Sequence, residues 1–79
     1  MKRIPNGARV KKINSKPGED SHQDGALATV IDATGPIPIK PEIPEWMRGM
    51  YGYTVVWDDL PGVYVFVAGN RLEEISEPS

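Results

Sequence analysis

The sequence predicts an all-β fold: a small five-stranded bent antiparallel barrel with a long proline-rich loop between strands two and three. Two observations point there. Runs rich in Val, Ile, Tyr and Trp alternate at a period of two, the pattern of a half-buried strand. Eight Gly and eight Pro punctuate a chain of 79 residues, which favours short elements joined by turns. At about half the usual ~150 residues, the chain makes a single domain over 1–79, with its core within about 7–75 and flexible ends at 1–5 and 76–79. A chain this short buries only about 60–65% of its unfolded surface, so the core is thin.

Taken in order, Pro5-Asn6-Gly7 is a turn signal ahead of strand one, residues 8–13. There Val10 and the aliphatic stem of Lys12 face one way, and Arg9, Lys11 and Ile13 the other. So many bases predict an edge strand, where Lys discourages pairing between sheets. Residues 14–25 form a polar loop, longer than a hairpin needs. Strand two, 26–33, sets Leu27, Thr29, Ile31 and Ala33 against Ala28, Val30 and Asp32. From 34 to 50, Pro36, Pro38, Pro41 and Pro44 interleave with Ile37, Ile39 and Ile43. Each Pro lacks an N–H and disfavours helix at the residue before it, so this loop is extended, with one helical turn near Trp46. Strand three, 51–57, alternates Tyr51, Tyr53, Val55 and Trp57 with Gly52, Thr54 and Val56. A turn at 58–62 leads into strand four, 63–67, where either the Val63/Val65/Val67 row or the Tyr64/Phe66 row faces inward. A tight turn over 68–72 precedes a last strand, 73–75.

Net charge is −2, but it is split. Residues 1–16 hold six bases and no acid, while 17–79 hold three bases against eleven acids. Lys2, Arg3, Arg9, Lys11, Lys12 and Lys16 are therefore the candidate contacts to nucleic acid. The alternative is that they pack beside the acidic remainder of their own domain. The absence of Cys excludes a disulfide framework, a thiolate nucleophile and Cys-based zinc sites. No apolar run approaches a membrane span, and no apolar segment follows Lys2 and Arg3 to make a secretory signal, so the expected compartment is the cytoplasm.

Gly7-Ala8-Arg9-Val10, then Gly25-Ala26-Leu27-Ala28-Thr29-Val30, then Tyr53-Thr54-Val55-Val56-Trp57-Asp58 and a closing Asn70-Arg71-Leu72-Glu73 follow in an order that resembles the Src-homology-three-like small barrels of the KOW, Tudor and photosystem-subunit types. The resemblance covers most of residues 7–75. It implies five short, strongly bent strands with a tight turn before the last. From the KOW type it further implies a glycine after strand one that helps approach RNA, with Gly18 or Gly25 in the matching loop. The proline-rich insertion departs from the short forms of these families.

Candidate chemistry is sparse. His22, the sole histidine, sits between Asp20 and Asp24 on a polar loop, where the sequence predicts an exposed side chain and no metal site. Asp58 and Asp59 read as turn-forming carboxylates pointing to opposite sides. Ser15, Ser21 and Thr54 have no His neighbour, and no glycine-rich phosphate loop occurs. No catalytic residue, metal site or cofactor is expected. The apolar side chains of the proline-rich loop either cross the barrel to enlarge its core or form a ridge for a partner. The leading expectation is a non-enzymatic interaction module that binds a protein through Ile37, Ile39, Ile43, Trp46 and Tyr64. Its alternatives are RNA binding through the basic segment and a role as accessory subunit of a larger enzyme complex.

Overall fold

One row of side chains per strand turns inward along β1 (Arg9–Lys12), β2 (Leu27–Thr34), β3 (Gly52–Trp57), β4 (Val65–Ala68) and β5 (Leu72–Glu74), because successive side chains of an extended chain point to opposite faces. In this computed structural model, which describes residues 3–16, 18 and 22–75, the strands form one antiparallel sheet in the order β4-β3-β2-β1-β5. The ladder is open, with β4 and β5 at its edges. Two single 3-10 turns, Glu45–Met47 and Gly69–Arg71, are the helical elements among the described residues.

The core is Val10, Ala28, Val30, Tyr53, Val55, Trp57 and Leu72, with Ile4, Ala33, Tyr51, Val65 and Val67 packed against it. Burying each larger apolar side chain contributes about 1.5–3 kcal/mol. The Tyr53 hydroxyl accepts a 2.9 Å hydrogen bond from the Ile4 N–H, which ties the segment before β1 to the sheet. In β4 the valine row faces inward, leaving Tyr64 and Phe66 outside.

Three expectations need correction. Strand one is not an edge: β1 lies between β2 and β5. Its bases serve as partners rather than guards, with Lys11 Nζ 3.6 Å from Glu73 on β5 and Arg9 paired to Asp58. The facing pattern of β2 holds only as far as Val30. The register then shifts between Val30 and Asp32, so Ala33 packs on the core while Asp32 stays exposed. Such a bulge spares the sheet a buried carboxylate. Strand four starts at Val65 rather than Val63, because turns from Trp57 O to Leu60 N–H and from Leu60 O to Val63 N–H take up the residues before it.

Two glycines sit where another backbone or ring comes close. A Cβ on Gly69 would meet the Tyr51 carbonyl oxygen, whereas one on Gly52 would meet the end of the Phe66 ring. Backbone cannot step aside within a ladder, but an exposed ring can swing away. Gly69→Ala is therefore expected to destabilise by about 1–3 kcal/mol, and Gly52→Ala by less than ~1 kcal/mol, since alanine recovers backbone entropy. Urea unfolding midpoints check this; equal midpoints would contradict it.

Candidate functional site

The two limbs of the proline-rich loop are tied to each other near its base. Ile37 N–H donates to Met50 O at 2.9 Å, and Gly49 N–H donates to Ile37 O at 2.8 Å. Within it, Arg48 Nε donates to Ile43 O at 2.9 Å. Pro44 opens the 3-10 turn that carries Trp46. Ile37 and Ile43 are half-buried on this frame, while Ile39 is 79% and Trp46 66% exposed. Ile39 and Trp46 thus project, while Ile37 and Ile43 are partly covered without joining the apolar core.

Trp46 lines a cleft of about 460 Å³ together with Met47, Met50, Lys16, Asn70 and Arg71. Part of this lining is held by a clasp between the first loop and the last turn. Asn14, in the left-handed region at φ 54°, donates from Nδ2 to Asn70 O, and Arg71 Nη1 donates to Asn14 O, both at 2.8 Å. The buried Asn70 Oδ1 has no hydrogen-bond partner among the described residues. Apolar side chains, amides and two cations thus line one hollow. Lys16 was a candidate for nucleic acid and Trp46 one for protein, and the fold brings them together. Asn14, Asn70 and Arg71 were not foreseen, since the clasp joins residues 56 and 57 positions apart.

Tyr64 lies elsewhere. It shares a shallow hollow of about 500 Å³ with Thr29, Ile31, Val56 and Pro61 on the outer face of the sheet. Phe66 is exposed on that face too. The period-two spacing of Tyr64 and Phe66 carried the signal for this pair.

The basic candidates do not form one patch. Lys2 lies outside the described residues. Arg3 donates to Asn6 Oδ1 at 2.8 Å. Arg9 donates from Nη1 to Thr29 Oγ1 and to Asp58 Oδ1, both at 2.8 Å. Lys12 is buried, its Nζ donating to Ser15 Oγ at 2.9 Å, and Lys16 is exposed. The Arg9 guanidinium holds the Asp58 carboxyl below its ordinary value of 3.8, chiefly through its hydrogen bond, which outweighs the opposing desolvation, with the Arg9 charge adding the smallest part.

His22 is not an exposed loop residue. It is buried, with its ring stacked on that of Trp57 at 4.2 Å between centroids and 11° between planes. Its Nε2 lies 2.8 Å from Asp59 Oδ1. The indole at the end of β3 needs a cover that the sheet does not supply, and the imidazole provides it while keeping its polar edge on a carboxylate. Asp58 and Asp59 lie in the turn expected of them and point their carboxylates to different partners, Arg9 and His22. Asp24 accepts from the Ser15 N–H at 2.9 Å, and among the described residues no group of three His, Asp or Glu side chains gathers.

Two expected outcomes follow from these contacts. Arg9→Gln should raise the Asp58 carboxyl toward 3.8, read by NMR titration of its side-chain carbon. Because the folded value is the lower one, the pair stabilises the fold above the ordinary value, and that contribution is lost as pH falls through the folded value. In Arg9→Gln it is absent at every pH. An unmoved Asp58 titration would contradict the pairing. In a Trp46→Phe background, His22→Ala should increase acrylamide quenching of Trp57 fluorescence, and unchanged quenching would contradict the stack.

Compared with known families, curated proteins and solved structures, the chain matches no family model, no curated protein and no solved structure. Its own residues carry the functional reading.

Proposed function

We propose that this chain is a non-enzymatic interaction module of Src-homology-three-like build that docks a protein partner on Trp46, Ile39 and the cleft behind them. The strand order, the register shift in β2 and the 3-10 turn before β5 support that build. One observation carries the function. Two large apolar side chains, 66% and 79% exposed, stand on a loop whose two limbs are already tied to each other by backbone hydrogen bonds. Anchors held this way lose little entropy on docking, and an exposed Trp is a favoured hot-spot residue. The cleft adds an apolar floor and the cations Lys16 and Arg71, which suits a segment with an apolar residue beside an acidic one. What lines it holds a partner rather than transforms one.

A second reading, single-stranded nucleic acid, is favoured by the same cations flanking Trp46: a base stacked on the indole would have charges near its phosphates. Ionic strength separates the two, since affinity for RNA falls steeply with salt.

The test is to pan a random-peptide display library against the wild-type chain, then titrate the enriched peptides against the Ile39→Ser/Trp46→Ala double variant. Both side chains are exposed, so circular dichroism should not change. Enriched peptides are expected to share an apolar residue near an acidic one and to bind the double variant at least ~10-fold more weakly, about 1.4 kcal/mol. Absence of enrichment, or equal binding to the double variant, would reject the reading. Salt-sensitive binding of an RNA oligonucleotide that requires Trp46 would favour the second.

A further inference from the structure

An open sheet has two edges, and this chain treats its edges differently. β5 is three residues long and bears Glu73 and Glu74, both exposed. Short length and charge are the usual ways to keep an edge from pairing with another strand. β4, at four residues, is short too but lacks the second defence: 63–68 runs Val-Tyr-Val-Phe-Val-Ala, without a charge or a proline.

The register shows which backbone groups of β4 are unspent. Gly69 N–H donates to Tyr51 O, and the same register pairs Val67 with Tyr53 and Val65 with Val55. In an antiparallel ladder the hydrogen-bonded pairs alternate with pairs that point their N–H and C=O away. Phe66 and Ala68 therefore turn their backbone groups to the open edge. Their side chains lie on the outer face, where Phe66 is 63% and neighbouring Tyr64 71% exposed.

We propose that a second copy of this chain pairs at this edge, β4 against β4, antiparallel about a two-fold axis at Phe66. A single sheet then continues across both subunits. The choice of a second copy rests on self-complementarity. With Phe66 opposite the partner subunit's Phe66, Tyr64 falls opposite the partner subunit's Ala68, a large side chain beside a small one. On the inner face Val65 meets the partner subunit's Val67. No charge is opposed, and an aromatic pair sits on the axis. A strand such as β5 would instead lay glutamates over Phe66. The arrangement is isologous and closes at two copies, leaving the carboxylate-guarded β5 edges outermost. Ala68 also lines the cleft beside Trp46 whereas Phe66 does not, so the Phe66 variant below separates dimerisation from the docking role.

Ala68 offers a clean test. Its φ of −64° is already that of proline, and its N–H is not used by the β3 ladder. Ala68→Pro therefore removes an intermolecular donor without straining the fold. Sedimentation of the wild-type chain from micromolar to millimolar concentration is expected to show a monomer–dimer equilibrium. Hydrogen exchange should show the Phe66 N–H becoming protected as concentration rises. Ala68→Pro should fold normally, weaken dimerisation at least ~10-fold and abolish that protection. Phe66→Lys, which opposes two like charges at the axis, should do the same and serves if the proline variant fails to fold. A chain that remains monomeric at every concentration, a dimer that survives whichever variant folds, or assembly into rings or open chains as β4–β5 pairing would give, overturns the proposal.

Discussion

Covering the Trp57 indole is the constraint on which the rest of this small structure depends. The side chain is among the largest in a core of few residues, and it sits at the very end of β3, where the sheet gives it neighbours on one side only. His22 closes the other side by stacking on it, and Asp59 holds His22 in place. The polar loop before β2 is thereby drawn onto the sheet. The two residues after Trp57 are both committed to contacts across the chain, Asp58 to Arg9 and Asp59 to His22. In a domain too small for a deep core, a planar polar ring does work that a second layer of apolar side chains does in larger folds.

Strands were legible where alternation is strict. Tyr53, Val55 and Trp57 declare the inner face of β3, and Val10 with Lys12 that of β1, because period-two spacing is a local property of the chain. The bulge in β2 was not legible. Its cause is the cost of burying Asp32, which exists only once the register with β3 is known. Nor was the place of β1 in the sheet, because a basic strand can guard an edge or neutralise acids on its neighbours, and the choice depends on where Glu73 and Asp58 come to lie.

The same distinction runs through the candidate sites. Trp46 and Ile39 stand out as apolar residues on a stiff segment, and they do project. Tyr64 carried the same marks but belongs to the opposite arrangement, because loop and strand residues that share a chemistry need not share a surface. The clasp of Asn14, Asn70 and Arg71 and the stack of His22 on Trp57 had no local signature. His22 and Asp59 are 37 positions apart, and an isolated histidine among polar residues reads as solvated until its neighbours in space are known. Splitting the charges along the chain, six bases first and all eleven acids later, turned out to seed ion pairs at Arg9 and Lys11.

The position of β1 between β2 and β5 bears on how the chain can be made. β1 satisfies one side of its backbone with residues 27–29 and the other with residues 72–74. During synthesis the first ladder becomes available early, while the second must wait until residues 72–74 have left the ribosome. Until then Leu72 is missing from the core, and one side of β1 is exposed to the cellular milieu. The lysines and arginine of β1, with no like-charged strand to pair with, keep that waiting nascent edge soluble.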